Sequence, residues 1–132
     1  MDEAVFLIGF SREEVGAIRG ALGDAEVHEV PKECLNWKLK EVVEKKPEGS
    51  GNWHERKLII MHGSNDFIKR VISAVRPLKL GRIIFVSTTP ISLERTLDDL
   101  IEEWLEEDEY FRAYRRMKAQ ASKGPYLDIG KG

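Results

Sequence analysis

The stretch LIGFSREEVGAIRGAL, Leu7–Leu22, decides how the chain is read. It closes an apolar run that begins at Ala4 (AVFLIGF), flanked by charge before and by Ser-Arg-Glu-Glu after, which is how a buried parallel strand reads. Ser11 with Glu14 three residues on is a capping-box pattern: each side chain satisfies a free backbone N–H at a helix start. Val15, Ile18 and Leu22 then fall at helical spacing, and Gly23-Asp24 closes the helix. A strand passes directly into a helix through a glycine-bearing turn.

The same order recurs. AEVHEVP predicts a second strand, and Lys32–Lys46 predicts a helix with Leu35, Leu39, Val42 and Val43 on one face. Residues 47–56, PEGSGNWHER, read as a linker. KLIIMHGS then restarts the pattern, with Ser64 lying 53 residues after Ser11; at that offset Ile68 meets Val15, Val71 meets Ile18, Ala74 meets Ala21 and Val75 meets Leu22. RIIFVSTTP matches AEVHEVP, and Leu93, Leu97, Leu100 and Ile101 repeat Leu35, Leu39, Val42 and Val43 at an offset of 58. The expectation is one α/β domain, 1–121, made of pseudo-repeats 4–46 and 57–118. The last helix is expected from Thr89-Pro90 to about Lys118. The tail, 122–132, is expected to be flexible unless Tyr126, Leu127 and Ile129 dock.

Two βαβα units with right-handed crossovers predict a four-stranded, mainly parallel sheet in the order 2-1-3-4 with a long C-terminal helix. If the first and third strands run side by side in parallel, their crossovers go to opposite faces and a ligand crevice opens at their carboxyl ends. The residues expected there are Gly9, Phe10, Ser11, His62, Gly63 and Ser64, and two facing helix starts would suit a small phosphate or carboxylate. The competing reading makes Ser11 and Ser64 plain N-caps and the glycines plain turns. Neither turn carries a nucleotide-binding fingerprint.

Composition narrows the classes. The chain has 132 residues, 42% hydrophobic and 33% charged, with a net charge of −2, which disfavours nucleic acid as a general partner. Cys34 is the single cysteine, so no internal disulfide forms and a reduced, cytoplasmic setting is expected. The first residues have no basic region or cleavage pattern of a secretory leader, and no apolar run approaches the ~20 residues of a membrane span. One glutamine and three asparagines among abundant Lys and Glu fit a heat-adapted source. Three scattered histidines and one cysteine give no metal spacing, so neither metal nor cofactor is expected. No catalytic residue is assigned, although His62 at a strand end has the chemistry of a general base. Thr88-Thr89-Pro90 fits an anion turn or a threonine cap equally well. Trp53, in a polar linker, is expected to fold back onto the core.

The last helix has a polarised charge pattern. Glu94 to Glu109 holds nine acids and only Arg95 as base, whereas Arg112, Arg115, Arg116 and Lys118 follow without an acid. One reading is a solvated helix with charges suited to its dipole. The other is a helix that pairs antiparallel with a second copy, making a homodimer. Trp104, Tyr110, Phe111 and Tyr114 would supply its apolar centre, and Arg112, Arg115 and Arg116 would lie near the partner's acids.

Gly9-Phe10-Ser11, Glu13, Glu14, then Asn36-Trp37, Leu39 and Glu41 resemble a small prokaryotic domain of unknown function. The second half is similar, through Thr88, Thr89, Leu97, Leu100 and Glu102, but lacks the Asn-Trp pair. The resemblance implies a fold and no chemistry. The sequence therefore points to a cytoplasmic, non-catalytic binding or interaction module. The alternative is an enzyme or binder of a small phosphorylated or carboxylated compound at the sheet switch point.

Overall fold

A computed structural model describes residues 3–123, with side chains through residue 119. The elements are β1 (Ala4–Ile8), α1 (Arg12–Leu22), β2 (Glu26–Glu29), α2 (Leu39–Lys45), β3 (Lys57–His62), α3 (Asn65–Val75), β4 (Ile83–Ser87) and α4 (Leu97–Lys123). α3 starts and ends 53 residues after α1 (12 to 65, 22 to 75). Tyr126, Leu127 and Ile129 lie outside the described residues, and α4 runs on past Lys118 into what was expected to be tail.

The strands form one sheet in the order β2-β1-β3-β4, with β1–β2 and β3–β4 parallel. The central pair is antiparallel: Ala4 stands opposite His62, and Ile8 opposite Leu58. This corrects the expectation of parallel first strands, and with it the placement of the helices. A half-turn about an axis normal to the sheet carries one βαβ unit onto the other and leaves its helix on the same face. Accordingly Val15, Ile18 and Leu22 of α1 join Phe67, Val71 and Val75 of α3 in one core over Val5, Leu7, Ile59 and Met61. The strand residues in the opposite phase, Phe6, Ile8, Leu58 and Ile60, are fully buried as well, so the sheet is covered on both sides.

Neither long helical pattern runs unbroken. Lys32–Asn36 and Ser92–Glu94 are 3-10 turns, and the backbone is extended at Trp37, Lys38 and Arg95 before α2 and α4 begin. The extended residues pair with each other. Lys38 bridges Thr96, the Leu39 N–H donates to the Arg95 carbonyl at 2.9 Å, and the Leu97 N–H donates to the Trp37 carbonyl at 2.9 Å. Lys38 and Thr96 are 58 residues apart, so this bridge joins matching points of the two halves. Leu39, Val42, Leu97 and Leu100 beside it are buried. The described chain divides into two compact units at Leu100 and Ile101, so α4 begins in the first and continues in the second.

The linker 47–56 folds back over the end of β1. The Gly9 N–H donates to the Gly51 carbonyl at 2.7 Å, the Gly51 N–H to a Glu29 carboxylate oxygen at 3.0 Å, and the Trp53 indole N–H to the Val30 carbonyl at 2.7 Å. Gly9 has φ +89°, and a Cβ there would stand 2.0 Å from the Arg56 carbonyl oxygen. Gly16, exposed in α1, has nothing within 4 Å of such a Cβ. Gly9→Ala should therefore cost at least about 2 kcal/mol. Gly16→Ala should add about 0.5–1 kcal/mol of stability. Urea unfolding of the two variants beside the parent checks both signs.

Candidate functional site

The six residues expected at a shared crevice are not brought together. Because β1 and β3 are antiparallel, Gly9-Phe10-Ser11 and His62-Gly63-Ser64 lie at opposite ends of the sheet. The crevice between two facing helix starts is thereby removed.

Each turn is also filled by the chain itself. At the first, Phe10 is buried in the core and the linker crosses Gly9. The Ser11 hydroxyl accepts from the Glu14 N–H at 3.2 Å, and the Ser11 N–H donates to the Glu14 carboxylate at 2.9 Å. Lys57 pairs with the same carboxylate at 2.6 Å and donates to the Leu80 carbonyl. Burial pushes the Glu14 carboxyl up, but the hydrogen bonds from Lys57 and Ser11 and the Lys57 charge outweigh it, and its pKa lies below the ordinary value. At the second turn the Ser64 hydroxyl accepts from the Phe67 N–H at 3.1 Å and donates to the Glu3 carboxylate at 3.0 Å. Gly63 leaves room for the Phe67 ring, which a Cβ would approach to 2.7 Å. Both helix starts thus hold a carboxylate of the protein's own, where a free anion would have stood.

Of the six, His62 enters a cleft. In phase with Leu58 and Ile60, it lines a space of about 430 Å³ with Lys40, Val43, Glu44, Lys46 and Leu93, which places α2 on this face of the sheet. Its Nδ1 lies 2.7 Å from the Thr88 hydroxyl oxygen, so the ring is held in place. The neighbouring Thr89 is a cap: its hydroxyl accepts from the Ser92 N–H at 3.0 Å, and its own N–H donates to the Ser92 hydroxyl at 2.8 Å. Lys40 pairs with Glu94 at 3.2 Å and Lys46 with Glu26 at 2.8 Å across the rim. Sequence reading missed both lysines and the His62–Thr88 contact. Thr88 follows β4, and Lys40 and Lys46 belong to or border α2, so only the sheet order joins them to His62.

Cys34 is buried; burial, then the Glu33 charge, pushes its thiol pKa up, away from nucleophile chemistry. Lys45 lies 5.0 Å from the centre of the Trp37 ring. Among the described residues no His, Cys, Asp or Glu group could hold a metal ion, and no helix is long and apolar enough to cross a membrane.

On α4 the expected aromatic face changes in extent. Trp104 is buried, with only 7% of its surface exposed, and so leaves the exposed face; Tyr110, Phe111, Tyr114 and Met117 are 67%, 53%, 51% and 68% exposed. Arg115 and Arg116 are exposed and Arg112 half-buried, bonded to Glu109 at 3.4 Å.

Residues 57–111, from the first residue of β3 to Phe111 of α4, match the family model of a domain of unknown function (DUF3783). This is the second half of the chain, whereas the fuller motif lies in the first. No curated protein and no solved structure matches.

Ser11→Ala should cost about 1 kcal/mol, the usual loss for a cap. Glu14 has a folded pKa below its unfolded one, so its stabilisation is present above about pH 4.3 and is lost as pH falls through the folded value. Glu14→Gln should lower stability at neutral pH and flatten the decline in acid, read from urea midpoints across a pH series.

Proposed function

We propose that the protein is a non-catalytic interaction module built on a duplicated βαβα unit, and that α4 binds a second copy of the chain. The observation that carries this is the exposure of Tyr110, Phe111, Tyr114 and Met117 on one helix. At 3.6 residues per turn they fall within an arc of roughly 120°, as wide as the stripe by which a helix ordinarily packs. The bridge between Lys38 and Thr96 and the 53-residue spacing of α1 and α3 support the duplication.

The four side chains offer on the order of 500 Å² per copy, less than the ~800 Å² of a standard stable interface. An interface of this size fits a weak, concentration-dependent association. The aromatics supply the affinity and the flanking charges the orientation.

A second reading rests on His62. Its ring, held by Thr88 in a cleft with two lysines, suits a small phosphorylated or carboxylated compound. Titration with inorganic phosphate and with acetate should then shift the His62 ring signals before others, and unmoved signals at millimolar anion would end that reading.

Sedimentation velocity from low to high micromolar protein tests the main proposal. A concentration-dependent dimer is expected, and Phe111→Ser with Tyr114→Ser should leave a folded monomer. A parent chain that stays monomeric at high micromolar concentration contradicts it.

A further inference from the structure

We infer that the two α4 helices pair antiparallel, crossing near Phe111, a conclusion that rests on the self-association proposed above. The ground is the distribution of charge along and around the helix. Before the aromatic stripe stand Glu106 and Glu107, both exposed; after it stand Arg115, Arg116 and Lys118, also exposed. Projected at 3.6 residues per turn, Glu106 and Glu107 flank the line of Tyr110, Tyr114 and Met117 on its two sides. Lys118 falls beside Phe111 on the same side as Glu107, and Arg115 lies just beyond Phe111.

Two orientations bury the aromatics. In a parallel pair with equal register every Glu107 would face its own copy, as would every Arg115 and Lys118. Like charges placed so across an interface are strongly disfavoured. In an antiparallel pair crossing at Phe111, residues whose numbers average 111 meet. Arg115 then comes alongside the partner's Glu107, with Lys118 one turn away on the same side. Phe111 sits at the crossing, with Tyr110 and Tyr114 on either side. Each copy's acid segment lies on the other's basic segment, twice over by symmetry. Some of this charge is used within one helix, as in the Arg112–Glu109 pair at 3.4 Å. Glu107, Arg115 and Lys118, all exposed, carry the complementarity.

Two variants of the full chain test the orientation. One is Glu107→Lys; the other is Arg115→Glu with Lys118→Glu. Each alone should self-associate about tenfold more weakly than the parent, because either change puts like charges opposite each other in its own dimer. Mixed in equal amounts they should form a heterodimer of near-parental affinity, because the reversed acid of one meets the reversed bases of the other. Spin labels give an independent readout that needs no charge change. With Glu102→Cys and Glu109→Cys labelled separately in the parent, Cys34 being buried, an antiparallel pair separates like labels by about 3 Å more for each residue from the crossing. The Glu102 pair should therefore be farther apart than the Glu109 pair by more than about 10 Å. Equal distances, or mixed variants that do not recover, would overturn the antiparallel pairing while leaving the dimer intact. A parent chain that never dimerises removes both.

Discussion

The antiparallel pairing of β1 with β3 is the constraint from which the rest of the structure follows. Each βαβ unit buries one sheet face under its own helix and cannot cover both. With β1 and β3 antiparallel, α1 and α3 meet on one face and form a single core with Val5, Leu7, Ile59 and Met61. The other face is left to the segments after β2 and β4, and these are tied by the Lys38–Thr96 bridge. The same half-turn that matches the strands matches these two helix starts.

That geometry also removes the expected shared crevice. Opposed strands put their carboxyl ends at opposite ends of the sheet, so the crevice of a doubly wound parallel sheet does not form. At each separate turn the helix dipole is answered internally, by Glu14 with Lys57 at one end and by Glu3 at the other. The glycines follow the same logic. Gly9 admits the Arg56 backbone and Gly63 admits the Phe67 ring.

Much of this was legible in the sequence. Ser11 and Glu14 form the expected capping box, Ser64 caps α3, the strand order is as expected, and Trp53 folds back to bond Val30. What escaped did so for physical reasons. A fully buried strand reads the same in either direction, so KLIIMHGS could not show that it runs against β1. The breaks at Trp37-Lys38 and Arg95 span one or two residues and leave the helical spacing on either side in phase, so periodicity passed over them. Trp104 and Tyr110 look alike as aromatic positions on one helix, yet one is buried and the other exposed. His62 and Thr88 are 26 residues apart, and only the β3–β4 pairing brings them together.

The central claim is that the protein meets its partner through the face of α4 and not through the turns at the sheet ends. Backbone amide spectra of the labelled chain, recorded across a dilution series from high to low micromolar, test it directly. The account predicts concentration-dependent shifts confined to the α4 segment from about Glu106 to Lys118, with Gly9, Ser11, Gly63 and Ser64 unmoved. Shifts centred on those turns, or a spectrum that does not change with concentration at all, would contradict it.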